Sequence, residues 1–161
     1  MFARLSARIV ALTAALLFAT HTAAAGPPAA LQSSLHEAGG RPDLLYVVLF
    51  SLPDCPYCVA VRQAYLPALP DDPRFRERVR IREVGIGSTR QLIDFDGQKT
   101  SHADVARRLK VKFAPTVLFL DAAGQPRAEA LLGGDSVGLY GGYLEKRVMQ
   151  ALEAIPRARR D

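Results

Sequence analysis

Tryptophan is absent from the 161 residues, and methionine and cysteine occur only twice each. Two cysteines are too few for the disulfide-stapled scaffold that many small secreted domains use in place of a large core. With 12 glycines in no fixed period, 49% hydrophobic and 23% charged residues, the composition excludes a collagen-like repeat and an acidic disordered chain. Long hydrophobic runs are lacking as well. The longest near the start, Ile9 to Ala19, is about 11 residues against the ~20 that span a bilayer. No extended Lys/Arg stripe with interleaved aromatics occurs, so the formal net charge of +5 points to no nucleic-acid partner.

The chain opens on a segment that must be set aside before the fold is read. Arg4 and Arg8, the short apolar run and the small residues Ala23-Ala24-Ala25 form a secretory signal pattern over residues 1–25, with cleavage expected after Ala25. The expected location is the periplasm or the exterior, and no later segment is apolar enough to span a membrane. The segment carries two arginines and no acid, so its removal leaves a mildly basic chain. The remainder divides into a helical lead-in over 26–43, one domain over 44–156 and a basic tail over 157–161. A domain of that size buries roughly two-thirds of its unfolded surface, enough for a core without a structural staple. Arg107, Arg108, Lys110 and Lys112 read as a solvated face near a helix end, where cations suit the macrodipole.

Leu31, Ser34 and Leu35 at helical spacing, stopped by Gly39-Gly40, predict a short helix over Pro27 to Ala38. Leu44 to Phe50 is an unbroken apolar, β-branched run and predicts a strand buried on both faces. After Cys55, Pro56 suits a first helical turn, Val61 and Tyr65 share a face, and Pro67 and Pro70 are expected to end the helix. Val79 to Ile86 alternates as a second strand, and Gly85 to Lys99 reads as a long surface connection. Asp94 and Asp96 there are turn formers in preference to calcium ligands. Ser101-His102-Ala103-Asp104 opens a helix that ends near Lys110. Thr116 to Leu120 and Ala128 to Leu132 predict an antiparallel pair across the turn Asp121 to Gly124. Gly133-Gly134-Asp135-Ser136 reads as a loop and N-cap for a closing helix with Tyr140, Leu144, Val148, Ala151 and Ile155 on its apolar face. The fold class is therefore α/β, a mixed four-stranded sheet flanked by helices.

The cysteines carry the chemistry. Placed at random in a chain this long, two cysteines fall three apart in roughly 1 of 80 cases, yet here they form Cys55-Pro56-Tyr57-Cys58 at the join of a buried strand and a helix. Dithiol exchange needs one thiolate to attack a disulfide sulfur and a second thiol to resolve the mixed disulfide. Cys55 at the helix start gains from unpaired N–H groups and the positive dipole end, which suits attack; Cys58, one turn in, suits resolution. Asp54 opposes that effect, so only a moderate lowering of the Cys55 pKa is expected. Two other readings remain: an inert structural disulfide, and a metal site. No metal ligand set is assigned, because a tetrahedral site wants more ligands than the pair supplies and His36 and His102 are not spaced as partners. A copper carrier using Cys55, Cys58 and a distant His102 stays as the alternative function, beside a partner-binding module with an accessory disulfide.

The Cys-x-x-Cys after a buried strand, with Pro115 before the next-to-last strand, resembles the thioredoxin-like superfamily over nearly the whole chain that follows the signal. Cys-Pro-Tyr-Cys is similar to the glutaredoxin active site, and Ser51-Leu52-Pro53-Asp54 resembles periplasmic disulfide-exchange proteins. Asp94 to Gly97, Phe113 to Thr116 and Asp121 to Gly124 resemble secreted thioredoxin-like proteins, including those associated with bacterial sulfur oxidation. The resemblance implies a thiol-disulfide oxidoreductase without a cofactor, serving cell redox homeostasis. Its partners would be client proteins bearing thiols or disulfides and a redox donor or acceptor protein, not nucleic acid. It also implies a cis peptide at Ala114-Pro115, with Ala114, Pro115, Tyr57 and Gly133 contacting the substrate beside the catalytic Cys55 and Cys58. Two places depart from the family's pattern: Asp54 stands where thioredoxins carry an aromatic residue, and Leu49 where they carry a buried acid.

Overall fold

The computed structural model describes residues 34–37 and 40–158. The expected signal segment, most of the lead-in and the end of the tail lie outside them. Strand β1 (Leu45–Ser51) is buried at every position, and its pleat shows why an unbroken apolar run was needed. Leu45, Val47 and Leu49 pack on one side with Val61, Leu66, Phe75, Leu144 and Val148. Tyr46, Val48 and Phe50 point the other way, toward Val84, Leu92, Val105 and Leu120. Each such side chain contributes about 1.5–3 kcal/mol by leaving water, so β1 is the seam where the two cores meet.

β1 pairs in parallel with β2 (Val79–Gly85) and antiparallel with β5 (Thr116–Asp121), and β6 (Leu131–Leu132) joins β5 antiparallel. The order β2-β1-β5-β6 gives the expected mixed four-stranded sheet. β6 is shorter than the predicted Ala128 to Leu132. Upstream of it the pairing is reduced to a bridge between Pro126 and Leu120, with Arg127 N–H donating to Phe119 O at 2.8 Å, and proline has no N–H with which to continue a ladder.

The helix after Cys55 outlasts its prolines. α1 (Pro56–Ala60) runs into a π turn over Val61–Tyr65, closed by Leu66 N–H to Val61 O at 3.2 Å, and then into α2 (Ala68–Asp71). Pro67 caps α2 and Pro70 sits in its first turn, where the N–H groups have no intrahelical acceptor, so neither proline costs a bond. The stretch Gly85 to Lys99, expected as irregular surface, contains a hairpin of β3 (Gln91–Ile93) and β4 (Lys99–Ser101). Strands of three residues are too short to show alternation, yet Leu92 is buried and pins them to the second core. Asp94 accepts from Phe95 N–H and pairs with Arg108, and Asp96 accepts from Gln98 N–H, so both act as turn residues.

In the lead-in, the described stretch 34–37 is extended, not helical: Ser34 bridges to Ile93 in parallel and Leu35 N–H donates to Ile93 O at 2.7 Å. The hairpin edge takes this backbone, and burial of Leu35 overrides the helical spacing. α3 (His102–Arg108) starts as expected, with Ser101 Oγ accepting from Asp104 N–H. α4 (Tyr140–Glu153) buries Tyr140, Leu144, Val148 and Ala151, with Ile155 buried beyond its end. Its N-cap is Leu139, without a side-chain bond; Asp135 instead accepts from the N–H groups of Val137, Gly138 and Leu139 and orders the loop before the helix.

Candidate active site

β1 delivers the chain to the C-terminal end of the sheet, where Ser51 is its last residue. Asp54 then takes a left-handed φ of 54°, which turns the chain so that Cys55 becomes the N-cap of α1. Aspartate adopts this region more readily than most residues. Pro56 occupies N1, where its missing N–H is not needed. Cys55 Sγ accepts from Cys58 N–H at 3.1 Å, the bond a capping oxygen would make. The two sulfurs are joined in a disulfide with the Cα atoms 5.2 Å apart. Cys58 is fully buried and Cys55 half-buried, so only the first sulfur is presented to a partner.

The expected contact residues lie at the sheet end that carries this pair. The Ala114-Pro115 peptide is cis. Phe50 and Thr116 are register partners, so the chain leaving β1 toward the cysteines and the chain entering β5 from Pro115 emerge at the same end of the sheet. Thr116 Oγ1 donates to Phe113 O at 2.8 Å and fixes that loop. Gly133 N–H donates to Pro115 O at 2.8 Å, with Gly133 at a φ of 81° that favours glycine. Its neighbour Gly134 lies against Tyr57: a Cβ there would stand 2.9 Å from the tyrosine ring. Tyr57 is nonetheless 63% exposed, a ring with one edge held and one face free. Ala114 is half-buried and Pro115 is buried. Phe113 and Leu132, 71% and 70% exposed, add apolar surface on the same loop and edge strand.

Sequence reasoning missed a buried ionic cluster behind the motif. Glu83 accepts from Ser51 Oγ at 2.6 Å and from Arg62 Nε at 2.7 Å, with a second bond from Arg62 Nη2 to Oε1. The carboxylate is thereby tied both to the strand end before the cysteines and to the helix after them. Its hydrogen bonds hold the Arg62 guanidinium above its ordinary pKa. Glu83 is the register partner of Leu49, so the acid missing from β1 stands at the same level one strand over. The signal was a carboxylate inside the alternating stretch Val79 to Ile86.

His102, the candidate copper ligand, is buried at the start of α3, and its Nδ1 accepts from Gly85 N–H at 3.4 Å. Among the described residues no three His, Cys, Asp or Glu side chains group as metal ligands. Asp135 accepts from Tyr65 Oη at 2.5 Å; that bond raises the tyrosine pKa and lowers the carboxyl below its usual range.

A mixed sheet flanked by helices, with a Cys-x-x-Cys pair capping the helix after the central strand and a cis-proline at the same sheet end, defines a thioredoxin-like protein with a candidate redox disulfide. The model of the Thioredoxin-like domain family matches residues 31–149. The chain belongs to that family. No curated protein matches the sequence. Among solved structures, a thioredoxin-fold protein from Helicobacter pylori is similar at 16% identity and a TM-score of 0.50, covering 76% of this chain and 85% of its own. A Malassezia sympodialis thioredoxin has 20% identity and a TM-score of 0.47, with 70% and 80% covered. The periplasmic thioredoxin SoxS of Paracoccus pantotrophus has 17% identity and a TM-score of 0.45, with 66% and 98% covered. Among the described residues no helix is long and apolar enough to cross a membrane.

Proposed function

We propose that the protein is an exported thiol-disulfide oxidoreductase acting on protein clients, with Cys55 as nucleophile and Cys58 as resolving thiol. The observation that carries this reading is the asymmetry of the pair: Cys55 is half-buried at a helix start with an N–H aimed at its sulfur, whereas Cys58 is fully buried one turn in. In the reducing direction the Cys55 thiolate attacks one sulfur of a client disulfide, and the other client sulfur leaves as a thiolate and takes a proton. Cys58 then gives up its proton and attacks Cys55 Sγ; the second client sulfur departs, the client is reduced and Cys55-Cys58 is oxidised. The reverse sequence oxidises a client dithiol. Ala114, Pro115, Tyr57 and Gly133 form the seat for the client segment, a role supported by the Gly133 to Pro115 bond and the exposed face of Tyr57. The donor or acceptor that resets the pair is a second redox protein.

Reduction of insulin disulfides tests the reading. Cys55→Ser abolishes turnover, and Cys58→Ser accumulates a mixed disulfide through Cys55, visible as a mass adduct that dithiothreitol removes. Unchanged turnover in Cys55→Ser overturns the assignment. Export is supported by the Arg4/Arg8, apolar-run and Ala23-Ala24-Ala25 pattern. Expression in a Gram-negative host should release, on osmotic shock, a protein whose mass places its first residue at Gly26.

A further inference from the structure

The flank of β1 opposite the cis-proline holds a cavity that thiol exchange leaves unused. β5, with Pro115, lies on one side of β1, and β2 on the other; the loop that follows β2 closes a space of about 660 Å³ against Leu52 and Pro53, which lead into the cysteines. That volume lies within the range of small-ligand sites. The inner wall is the ionic cluster. Both oxygens of Glu83 are engaged by Ser51 and Arg62, and Arg62 uses Nε and Nη2 for this, so Nη1 has no acceptor among the described residues. The outer wall carries Arg90, whose backbone is fixed: its N–H donates to Ser88 Oγ at 3.3 Å and its carbonyl accepts from His102 N–H at 3.1 Å. No carboxylate among the described residues pairs with the Arg90 guanidinium. Its charge is felt at the buried His102 ring, where, after burial, it further lowers the imidazole pKa.

Two arginines with free guanidinium donors therefore line a space whose one acid is already neutralised by Arg62, which leaves a single positive charge to satisfy. Leu52, Pro53 and Ile86 supply apolar contact at the mouth. We propose that this cavity binds a carboxylate-bearing ligand with a short apolar body, its carboxylate held by Arg90 and Arg62 and its body lying on Leu52, Pro53 and Ile86. A guanidinium fork matches the planar carboxylate, and a monoanion balances the local charge, whereas a phosphate dianion would leave one negative charge uncompensated. The carboxylate comes either from a free small acid or from the C-terminus of a polypeptide.

The test is titration of the purified, oxidised full chain, followed by backbone amide shifts in NMR. Hexanoate is expected to shift the amides of Gly87 to Arg90 saturably in the millimolar range, while hexanamide leaves them unmoved. Arg90→Gln, at an exposed position, should weaken hexanoate about tenfold and Arg90→Lys should recover part of the loss. A short peptide ending in leucine, compared with its C-terminal amide, separates the sources: tighter binding than hexanoate assigns the site to a polypeptide C-terminus, and equal or weaker binding assigns it to a free acid. Cys55→Ser keeps the binding, so failure of the exchange reading and failure of this one are distinguishable. Equal binding of hexanoate and hexanamide, inorganic phosphate bound more tightly than hexanoate, unchanged affinity in Arg90→Gln, or no saturable shift with either probe overturns the proposal.

Discussion

Glu83 is the residue whose position organises the most. Its side chain is nearly buried, and the Arg62 side chain that meets it is 19% exposed, so neither charge is well solvated without the other. A buried pair of this kind adds little net stability over a well-packed apolar pair, but breaking it strands a charge. Glu83→Ala should therefore cost about 3 kcal/mol, measured as a lower urea midpoint, whereas the double variant Glu83→Leu, Arg62→Met should recover most of that loss. Equal destabilisation by the single and double variants would show that the cavity, not the charge, dominates. The cysteines were legible because their spacing is improbable and their place after an apolar run is distinctive. Glu83 was not, because the expected acid was sought along β1 at Leu49, and only the β1-β2 register puts the two at the same level.

Elements were legible in proportion to their length and to how completely their side chains are buried. β1 showed itself through seven buried residues in succession, and α4 through fourteen residues with one apolar stripe. The β3-β4 hairpin, the π turn and the extended Ser34 bridge did not show themselves, since each is a local response to packing. The hairpin buries Leu92 in the second core, and the π turn buries Val61 in the first. The start of α3 was readable from capping chemistry alone. Ser101 Oγ accepts from Asp104 N–H at 3.1 Å and donates to the Asp104 carboxylate, so the first turn is closed from both sides. Ser101→Ala should lose about 1 kcal/mol of stability, and amide exchange should quicken selectively in the first turn of α3. A uniform rise in exchange across β1 and α3 would mean that the cap has no local role.

For the molecule as a whole, the sheet order followed from the alternation of strands and helices, while the side-chain pairings did not, whether between residues two or three apart, as in Arg41 with Asp43, or far apart, as in Tyr65 with Asp135. Those pairs determine how the protein responds to acid. His102 is buried against Gly85, and burial first, then Arg90, depresses its pKa, with Glu83 partly opposing. The unfolded chain takes up this proton near pH 6.5 but the folded chain does so only at lower pH. Stability is therefore complete above about 6.5 and declines as pH falls toward the folded value, by at most about 1.4 kcal/mol per pH unit. The carboxylates act in a lower window. Asp43 is held below its usual range by Arg41, Asp72 by Arg74, Asp104 by Ser101 and Arg107, and Asp135 by Tyr65. Their contribution is complete above about pH 4 and is lost as pH falls through the folded values. Acid unfolding should accordingly proceed in two stages. Urea midpoints of the oxidised protein from pH 7.5 to 3 should fall first as pH drops below about 6.5 and again below about 4. His102→Gln, able to accept the Gly85 N–H without titrating, should flatten the first stage and leave the second intact. Identical slopes for the two proteins just below pH 6.5 would remove His102 as the origin of the first stage.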